Sequence, residues 1–256
     1  MSKLLILAPV AIPAVETTRG TGGANLLTAD PREAWSDDAS GTVARFRVDL
    51  QAAVPIDTVF LGHATPLPAD AFWTISGGAA GYEDQVLSAR QPMRAVDSAT
   101  NSPDRSHGLW HGSISAIRYL QIDVEQPAGA GPLSIGTLLI GAAFSARFNK
   151  EWGSGRRVID TGKAVALQSG GFAIEPGKRK GSYSWTFGDL DADEVDALYE
   201  IQLQCGSTVP LLVIEEASAT TGQLHRLHFG LFTGLKSYKR RNAAQTRWEM
   251  EFEDWG

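Results

Sequence analysis

The side chains with which this 256-residue chain could do chemistry are five histidines, one cysteine and a few adjacent carboxylates. His107 and His111 stand in the polar segment Asn101–His111, where Asp104 would add an oxygen donor. An H-x-x-x-H spacing gathers two imidazoles on one ion only when a helix brings them to one face, and nothing around them has a helical period. His225 and His228 lie three apart in a strand-like stretch, so they point to opposite faces and cannot chelate together. The pairs Asp37-Asp38 and Glu215-Glu216 read as solvated turns or strand ends rather than the separated carboxylates of a glycosidase. There is no Gly-x-Ser-x-Gly elbow and no P-loop, and Gly20-Thr21-Gly22-Gly23 is not followed by a helical pattern. Cys205, near a helix C-terminus where the dipole disfavours a thiolate, reads as a core thiol. Being single, it also excludes an intramolecular disulfide framework and a Cys-based zinc cluster. The chain is therefore expected to be non-enzymatic and to carry no cofactor.

Whatever these residues do, short strands must position them. Phe46, Val48 and Leu50 alternate with Arg45, Arg47 and Asp49, the period-2 pattern of a half-buried strand. Ile56–Gly62, Phe72–Ser76, Ile117–Val124 and Gly136–Gly141 follow, separated by Pro, Gly and Asp turns and with no helical period between them. That order predicts antiparallel packing rather than βαβ units. Ser182–Phe187 and Leu211–Ile214 are further strands, and Trp248, Met250 and Phe252 alternate with Glu249, Glu251 and Glu253. One helix is expected over about 191–205: Asp191 and Glu194 form a capping box, Leu190 can staple onto Val195, Val195, Leu198 and Tyr199 make a stripe, and Gly206 stops it. The fold class is mainly β, an N-terminal antiparallel sandwich followed by a β-rich α+β domain with one helix.

Composition bounds the rest. At 43% hydrophobic residues the chain is not disordered, and no apolar run approaches the roughly 18 residues of a membrane span. A formal charge of −6 argues against general nucleic-acid binding. Residues 1–145 hold one lysine and 146–256 hold six, a shift that predicts two domains. The expected organisation is 1–23 as an arm or first strand, 24–148 as the sandwich, 149–157 as a linker and 158–256 as the second domain. The apolar stretch Leu4–Pro13 has the length of a signal-peptide core, but two prolines interrupt it, so a strand or packed arm is preferred. The basic run Lys236, Lys239, Arg240 and Arg241 precedes the acidic ladder of the last strand. It either pairs with that ladder across a hairpin or offers a docking surface to an acidic partner.

Several of these segments carry a resemblance. Asn25–Pro31, Trp35-Ser36, the strand Phe46–Leu50, Pro55–His63 and Arg118-Tyr119-Leu120-Gln121-Ile122 follow one another as in galactose-binding-like, discoidin-type jelly rolls. The resemblance covers about residues 24–145 and implies a jelly roll that holds ligands in the loops at one end. On that reading Asp30, Asp37 and Asp38 would offer oxygens to a structural calcium ion. Arg105, His107, Trp110 and His111 would form a stacking and hydrogen-bonding platform for a surface glycan. A second resemblance rests on Gly230–Leu235 and the closing Arg247–Trp255. A jelly roll with a leading apolar arm and this β-rich ending resembles structural proteins of bacteriophage and prophage tails, at the tip or baseplate. It implies an oligomer that contacts itself or other tail proteins, assembles in the cytoplasm and ends in a virion, with no nucleic-acid or membrane partner. The expected function is such a structural or adhesion component. A stand-alone carbohydrate-binding module is the alternative, and a hydrolase with an unrecognised site the second.

Overall fold

The computed structural model of the protein describes residues 3–38, 41–93, 106–218, 223–242 and 244–255. Along the chain run β1 (Leu5–Leu7), β2 (Glu16–Thr17), β3 (Trp35–Ser36), β4 (Val43–Ala64), β5 (Phe72–Gly78), β6 (Gln85–Pro92) and β7 (Ser106–Glu125). Then come β8 (Ser134–Ile135), β9 (Thr137–Gly141), β10 (Phe144–Ser145), β11 (Gly155–Asp160), β12 (Lys163–Ala166), β13 (Phe172–Glu175) and β14 (Arg179–Leu190). Helix α1 (Ala192–Cys205) is followed by β15 (Leu211–Ile214), β16 (Leu227–Gly234), β17 (Lys239–Arg240) and β18 (Thr246–Asp254). The protein is mainly β, its sheets are antiparallel, and α1 is the one α-helix among the described residues.

The N-terminal sandwich is built on β4 and β7, which pair along most of their length. The two strands expected at 43–50 and 56–62 are one strand with a bulge: pairing stops at Asp49, resumes at Val54, and Gln51 sits at φ 65°. Register shifts again between Ile56 and Thr58. The first leaves even-numbered residues facing inward, and the second brings the odd-numbered Val59 and Leu61 to the core. Phe46, Val48 and Ile56 thus share one core with Val59 and Leu61, together with Trp35, Trp73 and Ile122.

The second sheet has the order β10-β1-β15-β16-β18-β14-β11, with β17 on β18. Residues 5–7, expected as an arm or first strand ahead of the sandwich, lie between β10 and β15 of this sheet. The chain leaves it after β1, builds the sandwich, and returns at Phe144–Ser145. Of the expected linker, residues 155–157 are strand, paired with Ser182–Ser184 of β14.

Uninterrupted apolar runs mark the strands buried on both faces. Leu4 and Ile6 join Leu211 and Val213 in the core beneath α1, while Leu5 and Leu7 join Leu212 and Ile214 on the opposite face. That opposite face packs on Phe60 and Leu139 of the sandwich, so the two units share an apolar junction. Helix α1 forms as its sequence predicts. The Asp191 side chain accepts from the Glu194 N–H, the Glu194 carboxylate accepts from the Asp191 N–H, and Val195, Leu198 and Cys205 are buried. Tyr199, expected on the buried stripe, is instead 49% exposed.

Candidate functional site

Of the expected glycan platform, His107, Trp110 and His111 do not share one face. Arg105 and Asp104 lie outside the described residues. His107, Trp110 and His111 are not in a loop: they belong to β7, and alternation along that strand sends Trp110 to one face and both histidines to the other. Trp110 is 8% exposed, packed in the sandwich core with Gly112 against its ring. His107 faces the junction. Its Nδ1 accepts from the His63 N–H at 3.0 Å, and Phe60, His107, His63 and Phe229 follow one another with ring centroids 5.2–5.3 Å apart. His111 lies four residues further along the strand, roughly 13 Å away. Its Nδ1 is 2.9 Å from the Thr58 hydroxyl, which itself donates to Asp57 at 2.7 Å.

Two of the expected calcium ligands are held by arginines. Asp30 is held by the Arg32 guanidinium at 2.6 Å, which keeps its carboxyl well below the usual range, at about 2. Asp37 is buried and paired with Arg19 at 2.8 Å, and Asp38 is exposed. Two of the three carboxylates already answer an arginine. Among the described residues no group of three His, Cys, Asp or Glu side chains is placed to hold a metal.

In the basic run, Lys236 bridges Glu249 at 3.0 Å and Glu251 at 2.7 Å, the cross-hairpin pairing expected of it. Arg241 reaches Asp189 and Glu151. Lys239 and Arg240 form the exposed strand β17, opposite Arg247 and Thr246.

Two clusters have no counterpart in the sequence reading. The first lies in the second sheet around His228, which is 1% exposed. Its Nε2 is 3.0 Å from Glu215 Oε1 and its Nδ1 is 3.5 Å from Asp254 Oδ1. Glu215 also accepts from Lys150 at 2.6 Å and Arg156 at 2.7 Å, and the Tyr183 hydroxyl donates to Asp254 at 2.8 Å. Burial disfavours the imidazolium, yet the neighbouring carboxylates of Asp254 and Glu215 outweigh it and raise the His228 pKa. Burial likewise opposes the Glu215 carboxylate, while His228, Lys150 and Arg156 drive its pKa down. Each of these groups is engaged by another protein group and the imidazole is closed to solvent. The cluster is a clamp that ties residues 150 and 156 to β15, β16 and β18.

The second cluster faces outward on the sandwich. The odd-numbered residues of β4 and β7 meet in register, Arg45 opposite Asp123, Arg47 opposite Gln121 and Asp49 opposite Tyr119. Tyr82, from the turn after β5, packs edge-on against Tyr119 with centroids 5.2 Å apart. Arg47 lies 5.0 Å from the Tyr82 centroid and Arg118 4.7 Å from that of Tyr119. Arg118 forms a two-point pair with Asp49 at 2.9 and 3.1 Å, and Arg47 donates to Gln121 at 2.9 Å. Arg118 and the Gln51 N–H hold the Asp49 pKa low. Burial, then the carboxylates of Glu16 and Asp49, raise that of Tyr82. All five of Arg47, Asp49, Tyr82, Arg118 and Tyr119 are half-buried. This face joins aromatic rings to donors and acceptors that are held by pairs within the protein. A separate groove of about 410 Å³ at the junction, between Ile12, Leu26, Leu138, Val209 and Phe229, has no ionisable side chain in its lining.

No family model and no curated protein matches the chain. Solved structures similar to it each match about half of it. A GH29 fucosidase of Ruminococcus gnavus in complex with fucose is 11% identical with a TM-score of 0.35, covering 51% of this chain and 25% of that one. The chain thus spans about a quarter of that fucosidase. XRCC1, solved bound to the catalytic domain of DNA polymerase beta, is 17% identical with a TM-score of 0.41, covering 53% and 99%. The lectin domain of lectinolysin complexed with Lewis b antigen is 13% identical with a TM-score of 0.35, covering 52% and 95%.

Proposed function

We propose that the protein binds a saccharide without transforming it, on the outer face of the sandwich around Tyr82 and Tyr119. One observation carries this reading: two tyrosine rings in edge contact, framed by Arg47, Arg118 and Asp49, stand half-buried on a paired sheet face. Their rings offer apolar surface to the C–H face of a sugar. The guanidiniums and the carboxylate meet its hydroxyls, and β4, β7 and the turn after β5 hold both sets in place before the ligand arrives. In this division of labour the sandwich binds and the second sheet connects it to other molecules.

The test is a glycan array with the labelled full chain, followed by calorimetric titration of the strongest glycan. Tyr119→Ala is expected to weaken binding by about tenfold or more, with His111→Ala unchanged and no reducing sugar released. Binding indifferent to Tyr119→Ala, or the absence of any glycan ligand, would overturn the assignment of this face; release of product would overturn its non-catalytic character.

A second reading, a structural component of a phage or prophage tail, is supported by a different feature: the long exposed ribbon that leaves the second sheet at β11 and β14. It predicts ordered rings or tubes in negative-stain micrographs of the purified protein. A field of dispersed single particles would count against it.

A further inference from the structure

From Gly155 to Gly181 the chain forms a two-stranded ribbon, β11 paired with the start of β14 and then β12 paired with β13. Every residue from 163 to 179 is exposed. Register decides what each side of its tip presents. Ala164 faces Ile174 and Ala166 faces Phe172, so one side of the β12–β13 hairpin is wholly apolar, with Phe172 67% and Ile174 74% exposed. An isolated two-stranded hairpin is at best marginally stable in water, and an uncovered apolar side is a surface for another protein. The ribbon is also basic. Residues 155–181 hold six basic and two acidic side chains, a net +4 in a chain of −6, which leaves −10 on the remainder.

Helix α1 offers the complement. Residues 192–205 hold four acidic and no basic side chains. Asp193, Asp196 and Glu200 are exposed at helical spacings of three and four, and Tyr199 and Leu203, one turn apart on the same side, are 49% and 61% exposed. Ribbon and helix are both uncovered in the single chain, so neither satisfies the other within one molecule.

We infer that the ribbon of one copy docks on the outer face of α1 of a second copy. Phe172 and Ile174 meet Tyr199 and Leu203, and the ribbon's net positive charge lies toward Asp196 and Glu200. The contact joins two different surfaces, so it is heterologous and propagates head to tail into a ring or filament. It is independent of the saccharide reading, since none of these residues lies on the Tyr82–Tyr119 face.

Light scattering on the full chain over a wide concentration range tests it. The wild type self-associates and added salt weakens the association. Phe172→Ser/Ile174→Ser and Asp196→Lys/Glu200→Lys, all at exposed positions, each weaken it by about tenfold or more with unchanged circular dichroism. Mixing the two variants gives the decisive result. The first keeps an intact helix face and the second an intact ribbon, so together they form a 1:1 dimer that grows no further. A monomeric wild type, assembly that survives both pairs of substitutions, or a mixture that stays monomeric would overturn the inference.

Discussion

The imidazole of His228 is buried and titrates unlike one in water. It lies between Glu215 and Asp254 and beneath the Tyr183 ring, with centroids 3.9 Å apart. Its folded pKa is raised, so the stability it contributes is fully present below the ordinary histidine value of 6.5 and is lost as pH rises through the raised value. Glu215 works in the opposite sense: its pKa is lowered, so its contribution is present above 4.5 and is lost as pH falls through the lowered value. The two windows overlap between about pH 4.5 and 6.5, and there the melting temperature should be highest. Raising the pH from there through the raised value of His228 should lower it. Removing one partner of a buried charged pair costs about 3 kcal/mol or more, so His228→Gln should lower the melting temperature throughout and flatten its fall on the alkaline side. A wild-type protein whose melting temperature is the same on both sides of neutrality would show that His228 is not held as the imidazolium.

Among the elements, α1 is where local sequence and fold agree most closely. Its first turn is closed by the reciprocal bonds of Asp191 and Glu194. Asp191→Ala removes one of them, at a cost of about 1 kcal/mol, and should lower the melting temperature by about 2–4 °C for a chain of this size. Asp191→Asn keeps an acceptor at the cap and should recover most of the loss; equal damage from both would place the effect elsewhere. The helix was legible because a capping box acts over four residues, and the last strand because Trp248, Met250 and Phe252 alternate without a break. Other features depend on contacts that no local pattern records. The membership of Leu5–Leu7 in the second sheet is written in pairing with Val213, more than 200 residues away. Trp110 is adjacent to an exposed histidine and reads as polar-loop aromatic until its strand parity is known. The Tyr82–Tyr119 face and the His228 clamp each draw residues from three or more separate segments, so neither leaves a spacing that could be recognised.

At the scale of the molecule, the two sheets behave as one body only if their junction holds them together. The chain crosses between them twice, after β1 and before β10, and the space between is filled by Phe60 and Leu139 from the sandwich against Leu5, Leu212 and Phe229 from the second sheet. The aromatic series Phe60, His107, His63 and Phe229 runs through the same junction. His63 takes a positive φ of 53°, a conformation that side chains other than glycine seldom adopt, where its ring lies between His107 and Phe229. Contacts of this kind couple the stability of both units, so the wild type should unfold in a single calorimetric transition with matching calorimetric and van't Hoff enthalpies. Phe229→Ala deletes the ring that the sandwich packs against and leaves a cavity, at a cost of about 3–5 kcal/mol. That loss falls on the junction rather than on either core, since Phe229 lies outside the clusters around Trp73 and beneath α1. The expected result is therefore not only a lower melting temperature but a transition that broadens or splits, its calorimetric enthalpy exceeding the van't Hoff value. A variant that still melts in one sharp step, merely shifted downward, would mean that the backbone crossings alone keep the sheets cooperative.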